Sequence, residues 1–277
     1  GFIVCVCNST YCDSLQPFSL KPGIVNSIKS SKSGKRFEKS EISFKPESTY
    51  KGTDRLTSYI DVTINREKRY QSIIGFGGAF TDSATLNIQS LPKNLSERLI
   101  KDYFAEDGIQ YSIGRIPIGG SDFSTRKYAY NEVDGDFNLT HFELAEEDIT
   151  LKIPTIKYAL SVSKQKVKLF GSAWSSPAWM KTNDDIQGAG VLKGNTTGPY
   201  YKTWADYAVK FLNHYRSNGI ELWGMTTGNE PADGFMPLDI NLYINCLGFT
   251  PYTQRDFVKF HLGPALEKAG YTPENFK

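Results

Sequence analysis

The spacing of apolar positions changes near residue 70 and divides this chain in two. Before that point Leu56, Ile60, Val62 and Ile64 alternate with Thr57, Tyr59, Asp61 and Thr63, the period of a half-buried antiparallel strand. Ile42 and Phe44 predict its partner, connected through residues 45–52. Beyond residue 70 the apolar segments are continuous. Each closes on Gly, Ser or Pro and is followed by a helical pattern, as in a parallel sheet covered by helices. Strands are predicted at 72–80, 111–118 and 167–173, with a fourth starting at Ile220 and leading to Glu230. One helix passes through Leu95, Leu99 and Tyr103 and stops at Gly108, and another spans 153–162 with Pro154 in its first turn. In the clearest helix Trp204, Tyr207, Ala208, Phe211, Leu212 and Tyr215 recur at three and four, and Gly219 ends it. A last helix opens at Thr250-Pro251 and closes at Gly270.

Four strand-then-helix units with no fifth strand amount to half of a (β/α)8 TIM barrel, an α/β fold that takes about 250 residues when complete. Half a barrel exposes sheet edges, so the chain is expected to be part of a longer protein.

Composition adds two constraints. Of 277 residues 39% are apolar and 13% aromatic, enough for a large core, and 32 Lys and Arg against 30 acids leave a net charge of only +2. That balance gives no electrostatic case for nucleic acid, and no run approaches the length of a membrane span. Cys5, Cys7 and Cys12 crowd the start without the spacing of a zinc ribbon, whereas Cys246, beside Leu247 and Phe249, is expected to be a buried free thiol. Sequons at Asn8, Asn94, Asn138 and Asn195, together with the cysteine cluster, favour an oxidising compartment.

The chemistry gathers at the predicted strand ends. The first offers Thr81 and Asp82; the second Arg115, Asp122 and Phe123; the third Trp174, Trp179 and Asn183; the fourth Asn229 and Glu230. Carboxylates, amides and flat indoles suit a sugar, which presents hydroxyls at its rim and C–H groups on its faces. The glycines of G-F-G-G-A-F lack the spacing of a phosphate loop, and His141, His214 and His261 lack ligand spacing, so neither a nucleotide nor a metal is expected. No cofactor is called for. The bland alternatives are that Asp122 caps a turn, Trp174 is core, Arg115 is a structural ion pair and Asn-Glu-Pro is a polar turn.

Five ordered motifs carry a family resemblance: G-F-G-G-A-F-T-D-S, R-I-P-I-G-G-S-D-F-S, A-W-S-S-P-A-W-M-K-T-N, N-E-P and C-L-G-F-T-P-Y-T-Q-R-D-F. With V-C-V-C-N-S-T-Y-C-D-S at the start, they resemble the lysosomal glucosylceramidases of glycoside hydrolase family 30. The resemblance implies a retaining β-glucosidase that cleaves glucosylceramide at a lipid surface. Its partners would be a saposin-type activator protein and anionic lipids, and its location the lysosome or the secretory route. It makes Glu230 the general acid/base and Asn229 the partner of the sugar 2-hydroxyl. Asp122 and Trp174 would hold glucose hydroxyls, Phe123 would line the pocket and Arg115 would orient the catalytic carboxylate. Such an acid must be protonated at its working pH, which burial and a nearby carboxylate favour.

The resemblance also divides the chain into a cysteine-rich segment (1–16), a strand segment of an accessory β-sandwich (17–69) and the first half of a catalytic barrel (70–277). It pairs Cys7 with Cys12 and leaves Cys5 without an upstream partner. Gly228 stands where the family usually has Glu, and Ala173 where it has Pro. The family's second carboxylate comes from a seventh strand, beyond Lys277, so this length of chain is expected to be inactive alone. The alternatives are a non-catalytic sugar- or partner-binding protein and a hydrolase of another β-glycoside.

Overall fold

The computed structural model describes residues 8, 19–45, 63–236 and 243–277. The chain forms two compact units, Gly1–Ile73 and Ile74–Lys277. In the first, β1 (Ile24–Lys29) pairs antiparallel with β2 (Glu38–Ser43), Val25 opposite Ile42. Ile42 therefore has a partner that precedes it in sequence. The strand expected over 56–64 lies outside the described residues up to 62, and Ile64 is in no strand and exposed.

The second unit holds a parallel sheet in the order β3 (Gly77–Ala79), β4 (Ile113–Ile118), β5 (Lys168–Ala173), β6 (Gly224–Met225). Helices fill the connections: α1 (Asp82–Gln89) and α2 (Lys93–Phe104), then α3 (Ile153–Val162), then α4 (Pro199–Ser217). After β6 come α5 (Pro251–Phe257) and α6 (Gly263–Lys268). Four parallel strands in sequence order, each followed by helix, are the half-barrel that the apolar pattern predicts. The core is the seam between sheet and helices, where Ile116, Ile118, Leu169, Tyr207, Phe211 and Tyr215 are fully enclosed. On α4 the buried face follows the predicted three-and-four spacing.

Three details differ from the pattern. The predicted helix through Leu95, Leu99 and Tyr103 is α2, which opens after Pro92, and an unpredicted helix, α1, precedes it. Strands β3 and β6 are shorter than their apolar runs. Ile73, Ile74 and Phe76 are exposed, and at Gly77 an added Cβ would lie 1.6 Å from the Ile113 carbonyl oxygen, so only glycine permits that pairing. Finally, Lys277 continues the sheet beyond β6: its N–H donates to Trp223 O at 2.9 Å and its carbonyl accepts from Met225 N–H at 2.9 Å. That is a fourth parallel pairing, made by a single residue that could not signal itself in sequence.

Two widened π turns, Glu147–Lys152 and Val258–Leu262, run directly into α3 and α6. Both end two residues before a proline, Pro154 and Pro264. A proline inside a helix lacks an N–H and crowds the carbonyl four residues earlier, and a wider turn relieves both. Pro154 thus lies in the first turn of α3, as expected, and the wider turn continues the helical backbone before it.

The first of these turns buries an ion pair. Asp148 and Lys152 are both inaccessible, 2.7 Å apart. Asp148 Oδ1 also accepts from Tyr215 Oη at 2.6 Å and Tyr130 Oη at 2.9 Å, and Lys152 donates to Pro117 O on β4 at 3.2 Å. Burial first, then the Asp148 carboxylate, pushes both phenols far above their ordinary pKa.

Candidate active site

Strands β3 to β6 all present polar side chains at their carboxyl ends, where a barrel places its chemistry. After β6 the chain turns sharply. Glu230 adopts φ 39° and ψ 59°, a left-handed conformation that costs a non-glycine residue about 1–2 kcal/mol. The following Pro231 further favours extended backbone at Glu230. Backbone bonds on both sides hold it there. Asn229 N–H donates to Ala173 O at 2.8 Å, and Asp233 N–H to Glu230 O at 2.9 Å. The carboxylate is exposed, so the described residues do not supply the burial expected of an acid that holds its proton.

Arg115, on β4, organises the surroundings. A guanidinium can only donate, so the Asn229 side-chain oxygen must face it: Arg115 Nη2 donates to Asn229 Oδ1 at 2.7 Å and to Ser172 Oγ at 2.8 Å. That leaves the Asn229 amide nitrogen toward Glu230, donating to Oε2 over a long 3.4 Å. Ser172 Oγ shares a 2.6 Å hydrogen bond with Thr226 Oγ1, and the guanidinium lies 4.4 Å from the centre of the Trp174 ring. Burial pulls the Arg115 pKa below its ordinary value, while Glu230 and Asp122 pull it back; both carboxylates therefore lie in the field of one permanent cation. The chain continues past Arg115 through Glu230 as one connected network, because each side chain fixes the next.

Trp174 is 6% exposed, and its buried indole N–H has no partner among the described residues. Buried indoles ordinarily find an acceptor, and a ligand hydroxyl could serve. Asp122 and Phe123 are exposed at the same end of the sheet, Phe123 at 84%. Their turn is fixed from below. Ser124 Oγ accepts from Ser121 N–H at 2.8 Å and donates to Asp82 Oδ1 at 2.8 Å. Asp82, itself buried, thus anchors the turn that carries Asp122, while Thr81 caps α1 by accepting from Ala84 N–H.

Two strand-end residues stay out of this group. Trp179 is core: it packs edge-on against Phe137 at 5.1 Å, and its indole donates to Asn131 O. Asn183 shapes its own loop by donating to Gln187 O. Ser172 and the anchoring role of Asp82 escape sequence reasoning, although a serine inside the buried run K-L-F-G-S-A is the kind of signal that could have found the first.

Asn8, Asn94, Asn138 and Asn195 are all exposed, and Asn195 Oδ1 accepts from both the N–H and the hydroxyl of Thr197, its own sequon threonine. Cys246 is a buried free thiol, as expected, and donates to Gly188 O. Cys7 and Cys12 lie outside the described residues. Among those residues no three His, Cys, Asp or Glu side chains gather to hold a metal, and no helix is long and apolar enough to cross a membrane.

Residues 73–275 match the glycosyl hydrolase family 30 TIM-barrel domain. The chain is 42% identical over 271 residues to putative glucosylceramidase 4 of Caenorhabditis elegans, covering 98% of this chain and 50% of that protein. It is 43% identical over 270 residues to the lysosomal acid glucosylceramidase of Mus musculus, covering 97% and 50%. Among solved structures, SrfJ from Salmonella typhimurium matches with a TM-score of 0.71 and 26% identity, over 90% of this chain and 51% of that one. The endo-β1,6-glucanase BT3312 matches with a TM-score of 0.66 and 29% identity, over 78% and 45%. The chain spans about half the length of the curated relatives it matches. A parallel strand–helix sheet with polar groups at its carboxyl ends and a domain match across nearly all of that sheet lead to one conclusion: this chain belongs to glycoside hydrolase family 30.

Proposed function

We propose that the protein hydrolyses the β-glucosidic bond of glucosylceramide to glucose and ceramide with retention of configuration. The observation that carries this reading is the unpartnered indole N–H of Trp174 beside the guanidinium that fixes Asn229. It gives a sugar hydroxyl a donor next to Glu230. In the first step protonated Glu230 gives its proton to the glycosidic oxygen as the C1–O bond breaks and a second carboxylate bonds to C1. In the second step Glu230, now a carboxylate, takes a proton from water whose oxygen displaces that carboxylate. Retaining enzymes hold the two carboxyl groups about 5–5.5 Å apart. We assign the second to the part of the relatives' length that this chain does not span. Asn229 would bond the 2-hydroxyl, Asp122 and Trp174 the other hydroxyls, and Phe123 would line the pocket.

The name of the mouse relative, lysosomal acid glucosylceramidase, supports action in the lysosome on glucosylceramide. As partners we assign an activator protein of the saposin type and anionic lipids. Residues 17–69 fit the accessory β-sandwich and 70–277 the barrel. A second reading, hydrolysis of another β-glycoside, is favoured by the similarity to the endo-β1,6-glucanase. The two separate when the protein at its full encoded length is given glucosylceramide in detergent micelles and, separately, a β-1,6-glucan, with product anomers followed by NMR. Glucose released from glucosylceramide as the β-anomer is the expected result. Release from the glucan alone would favour the second reading, and α-glucose as the first product would overturn retention.

A further inference from the structure

We propose that Gly190, Gly234 and Gly248 form a backbone clamp that sets the geometry of Glu230, making them positioning residues for proton transfer. The inference rests on Glu230 as the acid/base. Its starting point is that the left-handed backbone of Glu230 is unfavourable in itself, so the surrounding structure must hold it. The upstream hold is the bond from Asn229 N–H to Ala173 O on β5. The downstream hold is the turn Pro231–Phe235, which meets two other segments closely at Gly190 and Gly248.

Gly234 O accepts from Gly190 N–H at 3.0 Å, Gly190 O accepts from Gly248 N–H at 2.8 Å, and Pro231 O accepts from Phe249 N–H at 3.2 Å. The three backbones touch. A Cβ on Gly234 would lie 2.1 Å from Gly248 Cα and 2.2 Å from Gly248 N, and one on Gly248 would lie 3.1 Å from Gly234 Cα. None of the three has a positive φ, so conformational freedom does not account for glycine here. Close approach does. The clamp therefore ties the turn that follows Glu230 to the loop after β5 and to the segment before α5. A side chain at this junction must push the Pro231–Phe235 turn outward, and the residue at its head moves with it.

Misplacing an acid has a signature that loss of folded protein lacks. A leaving group that departs unaided needs no proton, so only poor leaving groups suffer. The test is kcat/KM of Gly248→Ala, the milder clash, and of Gly234→Ala, the harsher, in the protein at its full encoded length. An alkyl β-glucoside is compared with 2,4-dinitrophenyl β-glucoside. The expected result for Gly248→Ala is a loss of roughly 10-fold or more on the alkyl substrate with the dinitrophenyl substrate changed no more than about 2-fold, and a larger disparity for Gly234→Ala in whatever fraction folds. Equal loss on both substrates, or no loss on either, would overturn the clamp. Glu230→Gln run alongside separates the premises: if it shows no disparity, the acid/base assignment fails; if it does and the glycine variants do not, only the clamp fails.

Discussion

Glu230→Gln in the protein at its full encoded length loses hydrolysis of alkyl β-glucosides and glucosylceramide by about 10²–10⁴-fold, the usual contribution of a positioned general acid. Gln keeps the size and the hydrogen-bonding contact with Asn229 but has no proton to give. With 2,4-dinitrophenyl β-glucoside the first step proceeds without the acid, and the glycosyl-enzyme then waits for a water that nothing activates. A burst of dinitrophenol followed by a slow steady state is therefore expected. Azide, which needs no general base, should restore the steady rate and yield β-glucosyl azide. A variant with unchanged alkyl-glucoside turnover, or one slow on every substrate and deaf to azide, would remove Glu230 from this role.

The largest effect on stability is expected at the buried pair. Asp148→Asn leaves the Lys152 ammonium enclosed without its counter-charge, and breaking such a pair from one side costs about 3–5 kcal/mol. Lys152→Met leaves the carboxylate with only two phenol donors, Tyr130 and Tyr215, and is expected to fall in the same range. The combination of Asp148→Asn with Lys152→Met carries no buried charge and retains an amide oxygen for both phenols, so it should be more stable than Asp148→Asn alone. Urea-unfolding midpoints of the three variants decide this. Additive losses in the double variant would mean that the pair is not coupled.

Neither effect is equally visible in the sequence. Asp148 and Lys152, four apart, have the spacing of an ordinary surface pair on a helix, and only tertiary packing puts them inside. By contrast α3 and α4 announce themselves because their apolar faces repeat at helical spacing, and β4 and β5 because they are buried runs of strand length. The same logic overextends β3 and β6: an apolar run need not pair along its whole length, and the exposed Ile73, Ile74 and Phe76 lie before the ladder that starts at Gly77. Helix α1 is missed because D-S-A-T-L-N-I-Q has too little apolar pattern and rests on its Thr81 cap. At the site, Arg115, Trp174, Asn229 and Glu230 are legible as polar or aromatic groups at strand ends. Ser172 and the anchoring role of Asp82 are not, because their partners stand 57 and 42 residues away, and nothing local marks such a bond.

The left-handed backbone at position 230 finally sets two demands on one residue at odds. A glycine there would relax the chain and add to the protein's thermal tolerance, yet it would carry no carboxylate. Under the proposed acid/base role, a glutamate in that conformation exchanges durability for turnover. Repairs for stability belong elsewhere in the molecule.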